Sequence, residues 1–200
     1  LPLVTAGALQ PVSATEDTTV SFADEILTDF PEFAGTEITV PANSLFSNDG
    51  SRGGRVGLAP VAPDRLPEPL PEFFDPALVI TVQTDGPSNF DVPVPVCFPN
   101  LPSPTTGETA GPGEKQALWS FNHDTGLFEI AGSMTVSEDG ATVCSDAGVG
   151  VPAPGWHFVN PASSSGSGGG ASSGGDGSGS GGGSGPGGGG GGGGGDECEE

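Results

Sequence analysis

The chain has 200 residues, with 4 basic and 26 acidic side chains and a formal charge of −22. So few cations argue against a nucleic-acid binder, which needs a basic face to release counterions, and against binding to an anionic membrane surface on the same ground. No apolar run approaches the roughly 18 residues of a spanning helix, so direct membrane insertion is not expected.

Residues 1–31 carry no sustained period and read as a linker or the end of a preceding module. No basic segment followed by an apolar core opens the chain, so Leu1 reads as the edge of a fragment or of a processed chain. From residue 32 to residue 161 the pattern is that of one all-β domain: prolines fall every few residues and short stretches alternate. Residues 36–40 alternate, with Ile38 and Val40 on one face. Residues 56–59 follow a Gly53-Gly54 turn, and 78–82 (LVITV) are rich in β-branched side chains. Residues 92–98 (VPVPVCF) alternate with proline on the off face, which predicts an edge strand or one paired on a single side. Residues 117–121 and 127–131 flank Asn122-His-Asp-Thr-Gly126 and read as a hairpin; 133–136 and 141–144 form a second one around Glu138-Asp139-Gly140. A last strand is expected at 156–159. Seven to nine short strands with turns between them predict an antiparallel β-sandwich. Its expected core is Ile38, Val40, Leu58, Val79, Val82, Val94, Val96, Phe98, Leu118, Phe128, Ile130, Val136, Val143 and Phe158, with Trp119 and Trp156 capping the core or covering an edge.

Of the 37 glycines, 21 lie between Pro161 and Glu200. Such a segment has nothing apolar to bury against its ordering entropy, so 162–196 reads as a disordered Gly/Ser-rich linker. Residues 197–200 read as the start of a following module.

Residues 36–46 (TEITVPANSLF) are similar to the opening of the ZU-type β-sandwich of ankyrins, netrin receptors and tight-junction scaffolds. The later blocks GGRVGLAPVAPDRLPEPLP, LVITVQTDG, FDVPVPVCFPN, ALWSFNHDTGLFEIAG, MTVSEDG and SDAGVGVPAPGWHFVNP resemble its bacterial version. That version occurs in large secreted or surface proteins, YD-repeat and Rhs-like chains among them. The resemblance covers roughly residues 36–161. It implies a sandwich module without enzymatic activity, in an extracellular or cell-surface chain whose partners are its own neighbouring modules.

In self-cleaving relatives of this domain a His-Phe-Ser sequence lies near the end of the sandwich, and the serine attacks the carbonyl before it. Here His157 and Phe158 match, but Val159 has no nucleophilic atom, so cleavage by that route is excluded. Trp156 and Phe158 are then packing residues and His157 a partly exposed strand residue. Asn122, His123, Asp124 and Glu129 superficially resemble a calcium loop, but the alternating acids, sixth-position glycine and twelfth-position glutamate are missing. Glu138-Asp139 sits in a turn, and Gly53-Gly54 is followed by no Lys-Ser/Thr and no helix. No catalytic residue, cofactor or metal ligand is therefore assigned.

Cys97 and Cys144 are out of register with the valines beside them and so face outward. In an exported protein two such strand cysteines suggest a disulfide; the alternative is two unpaired small residues. Cys198 would pair beyond this segment. The function expected is that of a non-catalytic structural or spacer module of a large extracellular bacterial protein. The alternative is a carbohydrate- or calcium-binding adhesion module with an extracellular protein or glycan partner. The absence of Tyr and the presence of only two Trp argue against a sugar platform.

Overall fold

The computed structural model describes residues 8–67, 70, 74, 76–85 and 88–161. Twelve strands and one short helix are found among them: β1 (Gln10–Val12), β2 (Thr18–Ser21), α1 (Asp24–Asp29), β3 (Glu37–Val40), β4 (Leu45–Ser47), β5 (Gly54–Pro60), β6 (Val79–Thr84), β7 (Ser88–Phe90), β8 (Val96–Pro99), β9 (Lys115–Asn122), β10 (Leu127–Val136), β11 (Thr142–Ser145) and β12 (Gly155–Pro161). The all-β, antiparallel class expected from the alternation is the one observed. The tail, 162–200, lies outside the described residues.

Ten strands form one sheet in the order β1-β5-β6-β12-β9-β10-β11-β8-β3-β2, and β4 and β7 pair separately. Its first and last strands, β1 and β2, are neighbours in the chain. The turn between them is held by Ser13, whose backbone N–H donates to Thr18 Oγ1 at 3.0 Å and whose Oγ accepts from Thr15 and Glu16. The Gln10 side-chain amide donates to the Ser21 carbonyl across the gap. The sheet therefore curls until its ends meet, and the fold is a near-barrel rather than two separate sheets. Residues 8–31 contribute β1, β2 and α1 to this unit, and Val12, Val20 and Phe22 are buried in its core.

The inner face is lined by Val20, Ile38, Val40, Val56, Leu58, Ile80, Val82, Val96, Phe98, Leu118, Met134 and Val143, all almost inaccessible to water. Strand β6 is also buried outward. Val79 joins Val61, Trp156 and Phe158 in a second apolar layer, packed by Leu66, Leu70, Phe74, Trp119, Phe121 and Phe128. Val79 and Phe158, expected in the core, are buried in this second layer, and two other expected core residues are not fully buried. Phe128 is half-buried in that outer layer, and Ile130 is 61% exposed. The cause is a β-bulge between Ile130 and Gly132, which places residues 128 and 130 on the outer face and Met134 and Val136 on the inner one. Gly132 is required there, because a Cβ would stand 2.5 Å from a Val149 methyl.

The edge-strand expectation for 92–98 is corrected. β8 lies inside the sheet, paired with β11 on one side and β3 on the other. Proline is tolerated because the donors fall on alternate sides. Val94 exchanges both backbone bonds with Val151 and Val96 N–H donates to Ser145 Oγ, whereas on the β3 side the Pro95 carbonyl accepts from Thr39 N–H.

Cys97 and Cys144 stand opposite each other on β8 and β11 with Cα atoms 4.1 Å apart, and a disulfide joins them. Both are half-buried and face away from Val96, Phe98 and Val143, as their register implies. The bond links residues 47 apart in sequence. By loop-closure entropy its removal should cost on the order of 3–4 kcal/mol. The Cys97→Ala/Cys144→Ala variant should therefore unfold at a lower denaturant concentration than the wild type; an unchanged midpoint would show that the bond adds no stability.

Candidate functional site

Strand β12 carries the His-Phe pair. It runs between β6 and β9, so His157 stands opposite Ile80 on one side and Ser120 on the other. His157 is completely buried on the inner face, not partly exposed as the alternation suggests, because the sheet closes around it. Neither ring nitrogen has a hydrogen-bond partner of good geometry, and Ser120, though beside it in register, is not bonded to it. Burial holds the imidazole well below its ordinary range, to about 3; the Ala153 backbone opposes the shift and His123 adds to it. The imidazole is thus held neutral and out of water, with no hydroxyl bonded to it. Val159, two positions on, faces the inner core.

The hairpin after β9 brings together Asn122, Thr125 and Glu129. Asn122 Oδ1 accepts from the backbone N–H of Asp124 and Thr125, its Nδ2 donates to Glu129 Oε2 at 3.0 Å, and Thr125 Oγ1 donates to Glu129 Oε1 at 2.8 Å. These two side-chain bonds hold the Glu129 carboxyl below its usual range. Gly126, at φ 72°, makes the left-handed step that closes the turn. The oxygens thus satisfy one another. Among the described residues no group of three His, Cys, Asp or Glu side chains could hold a metal ion. Asp139 is engaged in the same way, accepting from Ser137 Oγ and Ala141 N–H. The Gly53 N–H is taken by the Leu45 carbonyl.

One polar cluster escapes a reading of the sequence. Asp146 accepts from Lys115, Ser133 and Thr135, and Lys115 Nζ also donates to Thr135 Oγ1 at 2.6 Å. The ammonium above all, then the two hydroxyls, hold the Asp146 carboxyl down to about 2. The one signal in the sequence is that Lys115 is the only lysine in the chain. Through these bonds the cluster fastens β9, β10 and the residue after β11.

The two tryptophans do not form an exposed platform. Trp119 stacks parallel to Phe158 at 6.2 Å and takes the Phe74 edge at 4.4 Å; Trp156 packs against Phe121 at 5.2 Å and His123 at 5.7 Å. Their ring faces are occupied by protein. No protein-family model matches the sequence, and no curated protein matches it.

Two expectations follow from β12. Between pH 6.5 and about 3 the unfolded chain takes up a proton on residue 157 that the folded chain refuses. Stability from this group is thus complete above pH 6.5 and falls as the pH drops, with a slope of at most about 1.4 kcal/mol per pH unit. Urea titrations of wild type and His157→Leu across that range should differ by this slope; parallel curves would contradict the burial. Second, the chain should stay intact between Phe158 and Val159. Intact-mass measurement after a day at neutral pH should give one species, and a fragment ending at Phe158 would place the protein among self-processing domains.

Proposed function

We propose that the chain is a non-catalytic structural module, a ZU-type spacer within a large secreted or surface-exposed bacterial protein. The observation that carries this reading is the Cys97–Cys144 disulfide. It joins two strands already paired by their backbones, so it adds rigidity rather than a reactive group, and disulfides of this kind persist in oxidising, extracytoplasmic compartments. The near-barrel sheet and its second apolar layer support the same reading, since His157, Trp119 and Trp156 are packed within them. The acidic surface keeps such a module soluble and apart from its copies.

The test is replacement within the parent protein. Substituting residues 8–161 by an unrelated rigid β-domain of similar length should leave export and the parent's activity unchanged. Loss of activity with export intact would show that this domain supplies a specific ligand contact and is more than a spacer.

A further inference from the structure

We propose that the groove beside α1 is a docking site for a cationic amphipathic segment of a partner protein. The groove, open to solvent and about 1090 Å³ in volume, lies between α1 with its following turn on one side and residues 59–62, 65 and 66 on the other. Ile26, Phe33, Val61 and Leu66 give it an apolar lining. Phe30 also lines it and is 43% exposed, although its neighbour Phe33, 6.3 Å away edge to face, is buried. An exposed aromatic ring beside an apolar depression of this size is what a docking partner covers.

The charges select the occupant. Glu25, Asp29 and Glu32 line the same groove, with Arg65 the one basic side chain among its described lining residues. A second copy of the chain would bring another −22 charges to this surface and be repelled. A segment with bulky apolar side chains on one face and Lys or Arg on the other satisfies both features. Its apolar face fills the groove, its cations meet the three carboxylates, and their methylene stems extend the apolar contact. This inference does not rest on the spacer reading, since a spacer can carry a docking groove or lack one.

The probe is a short synthetic helix with Leu on one face and Lys on the other, titrated calorimetrically at low and high salt. A matched peptide carrying Glu in place of Lys serves as control. The Lys peptide should bind, more weakly as salt rises, and the Glu peptide should not. Phe30→Ser should weaken binding by about tenfold or more. The combined Glu25→Gln, Asp29→Asn and Glu32→Gln variant should reduce the salt dependence while leaving the fold intact. The pair Glu138→Gln and Asp139→Asn, outside the groove, should change neither quantity. Absence of binding overturns the proposal. So does weakening by the remote pair equal to that of the groove variants, because the attraction would then be diffuse rather than seated at Phe30.

Discussion

A strand with two buried faces governs this fold. β12 sends His157 and Val159 inward and Trp156 and Phe158 outward, and none of these side chains is well exposed. Water cannot accept either face, so its neighbours must be apolar on both sides too. β6 meets that demand with Val79 to Val82 entirely buried, and β9 with Leu118 inward and Trp119 outward. Each large apolar side chain moved from water in this way contributes roughly 1.5–3 kcal/mol. The outer layer then needs a cover of its own, which Leu66, Leu70 and Phe74 supply. The cost appears at His157, whose imidazole is accommodated only as the neutral form.

Three of the four cations are engaged locally. Arg52 pairs with Asp91 and lies 5.1 Å over the Phe46 ring, holding the small β4–β7 sheet. Arg55 pairs with Asp85 at 2.7 Å where β5 begins and β6 ends, and Lys115 with Asp146 at 2.7 Å. Exposed pairs of this kind contribute about 0–1 kcal/mol each, so they fix loop positions more than they stabilise the fold. On a surface so acidic they also remove the charges that would attract acidic partners. What the surface then offers is almost uniformly negative, and places differ chiefly in the apolar area exposed beside the carboxylates.

The parts of the fold that are legible in the sequence share a physical cause. The hairpins around Gly126 and Gly140 announce themselves because both strands alternate and both turns need a positive φ, and the outward register of Cys97 and Cys144 follows from the valines beside them. β1, β4 and β7 have only three residues each, too few for alternation to rise above chance. α1 is six residues long and stops just before Pro31. The second apolar layer is illegible for another reason: an outer face that is covered has the same composition as an inner one. Alternation alone puts Ile130 inward, because a bulge reverses the facing of a strand without changing its letters. The burial of His157 depends on closure of the sheet, which no local pattern records. The groove beside Phe30 is assembled from residues 25–33 and a segment beginning at Ala59, and it has no signature along the chain.

The disulfide has a mechanical consequence. Tension applied to the ends of the chain passes from β8 to β11 through a sulfur bridge instead of through the 46 residues between Cys97 and Cys144, which lie 47 apart in sequence. At about 3.3–3.6 Å per extended residue, those positions would otherwise yield on the order of 160 Å of slack when the sheet gave way. With the bridge in place β9 and β10 sit inside a covalent ring and cannot be drawn out to their full length, even though β9 still pairs with β12 outside it. The fully extended reach of the chain is therefore shorter by that length when the two cysteines are oxidised than when they are reduced.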